Sequence, residues 1–230
     1  MIRKFISGFA FLLAACSSPE DGETATLDGI DVSHFQGDID WDKTAKAGIH
    51  FVYIKASEGL HTKDAHFKVN WAGARAQGLL VGPYHFFHPD ENAELQAQHF
   101  IDQLKMSGVH MDGTLPPVLD VEIPEGINAY NFRSDVMQWL TSVERAIGCK
   151  PIIYTSPHFW AEEDRGGIGG YKLWLADYAK NPTMPNGWDN WTFWQHTQNG
   201  KITGINSLVD LSIFAGDKTQ MEAMACKATR

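Results

Sequence analysis

Eight short runs rich in β-branched and aromatic residues punctuate the chain. They are residues 29–35 (GIDVSHF), 51–57 (FVYIKAS), 79–87 (LLVGPYHFF), 116–122 (PPVLDVE), 151–156 (PIIYTS), 172–178 (KLWLADY), 191–197 (WTFWQHT) and 207–214 (SLVDLSIF). Each is bounded by Gly, Pro, Asn or Asp, the residues that break regular structure and favour turns, so each predicts a strand. Three intervening stretches change period. Residues 64–77 carry Phe67, Val69, Trp71, Ala74 and Ala76 among polar residues, residues 91–106 carry Leu95, Phe100, Ile101 and Leu104, and residues 128–147 carry Phe132, Val136, Trp139, Leu140 and Val143. Apolar positions three and four apart fall on one side of a helix, so all three predict amphipathic helices. Gly148 is a natural stop for the third.

Strands alternating with helices favour a mostly parallel sheet with its helices outside. Eight strands in about 190 residues fit an α/β fold of the TIM-like (β/α) barrel type with a reduced set of helices. A doubly wound open sheet is the alternative, but it would normally carry a Gly-rich phosphate loop after its first strand. The run GIDVSHFQG has neither GxGxxG nor GxxxxGK[ST], so no nucleotide cofactor is expected, and none of another kind.

The N-terminus reads differently from the rest. Arg3 and Lys4 precede an apolar run from Phe5 to Ala15, too short for a permanent membrane span, and Leu13-Ala14-Ala15-Cys16 resembles a bacterial lipobox. Residues 1–16 are expected to be a lipoprotein signal with Cys16 lipidated, and residues 17–27 a polar tether. The catalytic barrel is then expected over residues 28–217, with 218–230 as a C-terminal tail. Ser17 after the cysteine fits an outer-membrane anchor facing the periplasm if the host has two membranes. Removing Arg3 and Lys4 takes the formal charge from -9 to -11, which argues against nucleic acid as partner. Cys149 and Cys226 remain as an even pair in an oxidising compartment and form a candidate disulfide. Zinc-type spacings of Cys and His are absent, so no metal is expected, and His85 and His88 sit in an aromatic run where packing or sugar contact suits them better.

The acids carry the chemistry. In PPVLDVE, Asp120 and Glu122 are two apart, and side chains of a strand alternate, so both project to one face at what would be the catalytic end of a barrel strand. Charged residues are rare in apolar strands unless they are used. Asp31 and Asp210, each of which alone would read as a turn or helix cap, lie on the first and eighth strands, which closure makes neighbours. Four carboxyl groups crowded together must separate in pKa, which is what glycoside hydrolysis needs from its acid and its anionic partner.

Taken in order over residues 28–214, the blocks GIDVSHFQGDIDW, FVYIKASEG, GPYHFF, PPVLDVE, IIYTS, LWLADY, WTFWQHT and VDLSIF resemble the family 25 glycoside hydrolases, the Chalaropsis-type lysozymes. That resemblance implies Glu122 as general acid, Asp120 as its partner acting through the substrate N-acetyl group or directly on the anomeric centre, and Asp31 and Asp210 as supporting acids. Sugar rings present flat C–H faces, so aromatic platforms with amide hydrogen-bonders should line the groove. Tyr84, Tyr154, Tyr178, Trp194 and Gln195 are the preferred candidates, Phe86 and Trp174 lie on the same strands, and Glu58 is a weaker one. The expected partner is the peptidoglycan glycan strand, and the expected state a monomer. A non-catalytic wall-binding lipoprotein and a hydrolase of a related glycan such as chitin are the alternatives.

Overall fold

The computed structural model describes residues 25–123, 131–161, 168 and 170–227. Cys16 and the expected signal, most of the expected tether, and the loop opened by Pro124 and Gly126 lie outside them.

Among the described residues the strands are β1 (Thr26–Val32), β2 (Phe51–Glu58), β3 (Thr62–Lys63), β4 (Leu80–Phe86), β5 (Val118–Asp120), β6 (Ile152–Thr155), β7 (Lys172–Ala176), β8 (Phe193–Gly200) and β9 (Val209–Ala215). They form one sheet in the order β1-β9-β8-β7-β6-β5-β4-β2-β3, and β1 also pairs with β2. Eight strands therefore close into a barrel, with β3 a short hairpin extension of β2. The helices are α1 (Trp41–Lys46), α2 (Phe67–Ala76), α3 (Ala93–Met106), α4 (Phe132–Ile147), α5 (Pro157–Ala161) and α6 (Lys218–Ala223).

The direction of the last strand departs from a fully parallel barrel. From β1 round to β8 the ladders are parallel, but β9 is antiparallel to both β8 and β1. The cause is the short connection between β8 and β9: a parallel return needs a crossover of a dozen or more residues, and only residues 201–208 lie between these strands. Because β9 runs backwards, its first residues, not its last, lie at the mouth where the parallel strands end. Asp210 is thereby the register partner of Asp31.

Three boundaries also shift. Thr26 and Leu27 pair with Ala215 and Phe214, so the strand starts inside the stretch expected as tether. The first strand stops at Val32 because Ser33 caps a 3-10 turn, His34–Gln36, through a reciprocal capping box with Gln36. The expected tail contains α6, whose Met221 is fully buried against the barrel floor. Cys149 and Cys226 are joined by a disulfide with Cα atoms 5.3 Å apart, which ties that segment to the end of α4.

Alternation along each strand makes two cores. Outward residues such as Ile30, Val52, Ile54, Leu119, Val121 and Ile153 meet Phe67, Phe100, Trp139 and Leu140 of the helices. Inward residues Phe51, Tyr53, Trp174, Phe193 and Phe214 fill the barrel floor, with ring centroids 4.6 Å apart for Tyr53–Trp174 and 5.1 Å for Phe51–Phe193. Two glycines make this plug fit. A Cβ on Gly29 would collide with the Phe51 ring and one on Gly82 with the Tyr53 ring. The plug matters for function because it blocks the barrel lumen and leaves a polar recess above it.

Candidate active site

The recess is a pocket of about 180 Å³ lined by Asp31, Ser33, Phe35, Lys55, Tyr84, Phe86, Val118, Asp120, Glu122, Tyr154, Trp174, Gln195 and Asp210. The strand pleat delivers these groups. On β1 to β5, Asp31, Lys55, Tyr84 and Asp120 occupy inward positions, while their neighbours Ile30, Ile54, His85 and Leu119 are fully buried on the other face. Glu122 lies two residues beyond β5, yet the alternation persists. The Val121 amide donates to the Tyr154 carbonyl at 2.9 Å, and Thr155 Oγ1 donates to the Val121 carbonyl at 2.9 Å, so the backbone immediately before the acid is fixed.

The four acids expected to meet do meet. Asp31 and Asp120 are buried, Asp210 is half-buried, and Glu122 is on the exposed, open side. Loss of solvation raises all four above the ordinary carboxylate range. For Asp31, the Asp210 charge adds to desolvation and the Gln195 hydrogen bond opposes it. For Asp120 the second cause is the Glu122 charge, and for Glu122 it is the Asp210 charge. The interaction between the two side chains adds to the rise at Asp31 and opposes it at Asp210.

Gln195 is the hub of the opposite wall. Its Nε2 donates to Asp31 Oδ2 at 3.0 Å, and its Oε1 accepts from the hydroxyls of Tyr154 at 3.0 Å and Tyr178 at 2.9 Å. These contacts fix the amide orientation and bring Tyr154, Tyr178 and Gln195 together. Tyr84, Phe86 and Trp174 also line the pocket. Trp194 does not. With Gln195 turned inward, pleating turns Trp194 outward, where its Nε1 donates to the Asp177 carbonyl at 2.6 Å and its ring lies 5.8 Å from that of Trp191.

Lys55 was not among the expected site residues. It is buried, the one cation among the pocket-lining residues, with Nζ 2.6 Å from Glu58 Oε2 and 4.7 Å from the centroid of Phe86. Glu58 also meets His88 Nε2 at 3.0 Å. The Lys55 charge lowers both Asp120 and Glu122, opposing desolvation. Its signal was present in the sequence, since a lysine at an inward position of FVYIKAS has the same anomaly as the acids of PPVLDVE. His85, by contrast, belongs to the outer core. It accepts from Ser57 Oγ at 2.9 Å, donates to Gln96 Oε1 at 3.2 Å, and burial depresses it to about 3, so it is a neutral packing residue. Among the described residues, no group of three or more His, Cys, Asp or Glu side chains has the arrangement to hold a metal.

A closed barrel with paired acids at its mouth can be placed by comparison. The sequence profile of the glycosyl hydrolases family 25 matches residues 30–205. The chain belongs to this family. Among its relatives, Lysozyme M1 of Streptomyces globisporus is 34% identical over 215 residues, covering 88% of this chain and 72% of that one. YegX of Escherichia coli K12, itself an uncharacterized protein, is 38% identical over 203 residues, covering 86% of this chain and 73% of that one. Among solved structures, the bacterial lysozyme from Streptomyces coelicolor superposes with a TM-score of 0.80 at 31% identity, over 90% of this chain and all of that one. Asp31, Asp120, Glu122 and Asp210 of this family 25 chain thus stand in one pocket.

The Asp31–Asp210 pair gives a stability prediction whose sign follows from linkage. Asp31 titrates higher in the folded state than the ordinary value near 4 of an unfolded chain. The folded state therefore binds this proton more tightly, and the resulting stability is present at low pH and lost as pH rises through the raised value. Asp31→Asn keeps the acceptor for Gln195 and a donor toward Asp210 but needs no proton. It should melt higher than the parent at pH 7, by about 2–4 °C per kcal/mol relieved, and the gain should vanish near pH 3 in thermal melts. Equal melting at both pH values would contradict a raised Asp31 pKa in the folded state.

Proposed function

We propose that this chain is a lysozyme-type muramidase that hydrolyses the β-1,4 bond between N-acetylmuramic acid and N-acetylglucosamine in peptidoglycan. The observation that carries this reading is the convergence of Asp120 and Glu122 in one pocket of a family 25 barrel. The names of its relatives, a lysozyme among them, point the same way.

The geometry suits a division of labour between the two acids. Glu122 stands on the open side, where a glycosidic oxygen can reach it, and its raised pKa keeps a transferable proton closer to neutral pH. Asp120 is buried, and its Oδ1 has no hydrogen-bond partner among the described residues. A donor such as a substrate acetamido N–H would satisfy that oxygen. Such a bond stabilises the ionised form, so substrate would leave the charge on Asp120 and the proton on Glu122. Asp120 would then orient the acetamido group so that its carbonyl oxygen attacks the anomeric carbon as Glu122 protonates the departing oxygen. Water opens the resulting ring with Glu122 now acting as base, and configuration is retained. Asp31, Asp210 and Gln195 hold the wall against which this occurs.

We further propose that Cys16 is lipidated and holds the enzyme at the cell envelope close to its insoluble substrate. Its support is the lipobox-like run ending at Cys16.

Substrate class is tested by incubating the protein with purified peptidoglycan and, separately, with chitin oligomers, then reducing the new chain ends with borohydride. Muramitol from peptidoglycan and no cleavage of chitin is the expected result. Glucosaminitol ends, or preferential chitin cleavage, would assign a different glycosidase.

A further inference from the structure

One aromatic ring at the mouth is placed against the hydrophobic effect. Phe35 is 73% exposed although it lines the same pocket as the acids. A lone exposed apolar side chain is ordinary on a protein surface. Phe35 differs because the turn that carries it is fastened from several directions.

Its own amide donates to Ser33 Oγ at 3.2 Å, and the Ser33 amide donates to Gln36 Oε1 at 2.8 Å. Gln36 Nε2 reaches across to the Leu208 carbonyl, just before β9, at 3.3 Å. Behind the turn lies Asp64, whose side chain has no exposed surface. It accepts from the His34 amide at 3.0 Å and from His34 Nδ1 at 2.7 Å, while its other oxygen accepts from the His66 amide at 2.9 Å. A buried carboxylate is costly unless its oxygens are satisfied, and here one is satisfied by the turn and the other by the His66 amide of its own segment. The fixed imidazole then lies 4.1 Å from the Phe35 ring, centroid to centroid, inclined at 37°. Gly37 ends the turn at φ 62° and ψ -142°, a conformation open to glycine but strained for other residues.

The result is an aromatic face carried on a turn whose backbone is held before any ligand arrives, with a second ring packed against it. Preorganisation of this kind lowers the ordering cost of binding. A flat, apolar, uncharged face beside an acidic pocket suits the C–H face of a pyranose, which is apolar and carries no charge to be repelled by the carboxyls.

We propose that Phe35, backed by His34 and positioned through Asp64, is a stacking platform for a hexosamine ring of the glycan strand adjacent to the ring held at the acids. This assignment rests on the muramidase reading and adds a substrate contact to it. Phe35 touches substrate in this account, whereas Asp64 acts only through the turn.

The test is steady-state kinetics on soluble, uncross-linked peptidoglycan strands of two and of several disaccharide repeats, comparing the parent with Phe35→Ala, Phe35→Trp and Asp64→Asn. Being exposed, Phe35→Ala should fold with an unchanged Tm. It is expected to raise KM on the longer strands about tenfold, as the loss of roughly 1.4 kcal/mol of ring stacking requires, with kcat within about twofold. Phe35→Trp should restore KM, and Asp64→Asn should raise KM in the same direction without a matching fall in kcat. An unchanged KM for Phe35→Ala on the longer strands, in an active parent, would overturn the platform while leaving the muramidase reading intact. A parent inactive on every strand would instead overturn the muramidase reading and the platform with it.

Discussion

Glu122→Gln should lower kcat on peptidoglycan by about 10²–10⁴-fold, the range over which a positioned general acid contributes, with little change in KM or Tm. The substitution is nearly isosteric and removes only the transferable proton. Its structural cost should be small because the side chain is on the open side of the pocket and its flanking backbone is held independently, by the Val121 amide and the Thr155 hydroxyl. The parent's kcat should fall as pH rises through the raised Glu122 pKa, since the acid works only while protonated. In Glu122→Gln that alkaline limb should disappear from whatever activity is left. Turnover within a few-fold of the parent would remove Glu122 from the role of acid.

Asp120→Asn should be nearly as damaging, with kcat down on the order of 10²–10³-fold, as for loss of a preorganised electrostatic group. The change keeps a carbonyl oxygen at the same place, so a purely hydrogen-bonding Asp120 would survive it with modest loss. A carboxylate needed for its charge would not. Folding should improve or stay level, because Asp120 is buried, has an unpartnered oxygen and is raised by its surroundings. A carboxyl whose pKa is raised on folding is a liability to stability at neutral pH, and its neutral replacement relieves it. Loss of kcat together with an equal or higher Tm at pH 7 is therefore the expected signature, and loss of both would mean a structural role instead. Activity gained at the expense of stability is a common bargain at active sites.

The parts of the molecule that could be read from the chain were those written in periodicity. Alternation along PPVLDVE places Asp120 and Glu122 on one face, and the helical spacing of Phe132, Val136, Trp139, Leu140 and Val143 matches the buried side of α4. Pairing of Asp31 with Asp210 was expected from barrel closure, and it occurs, but through an antiparallel final strand. That reversal follows from connection length, a geometric limit that the hydrophobic pattern does not express. Trp194 is set by a finer feature: strand propensity marks its segment but not its pleat face, and one residue of register separates the inward Gln195 from an outward tryptophan.

Lys55 and Phe35 differ in how far the sequence marks them. Lys55 violates the apolar pattern of its strand and was readable as an anomaly. Phe35 fits the apolar pattern of GIDVSHF, which predicts a strand through it. Only the capping box of Ser33 and Gln36, together with Asp64 from 30 residues further on, turns the chain and leaves the ring in solvent. Contacts between residues so far apart in sequence leave no local periodic trace. The same is true of Gln195, whose role depends on Tyr154, Tyr178 and Asp31 from three other segments.

The most direct test of the account is mass spectrometry of the fragments released from purified, insoluble peptidoglycan by the parent protein and by Glu122→Gln, side by side. The account predicts fragments ending in reducing N-acetylmuramic acid from the parent and almost none from the variant. Fragments with another reducing end, equal release by both proteins, or binding to the wall with no release by the parent would contradict it.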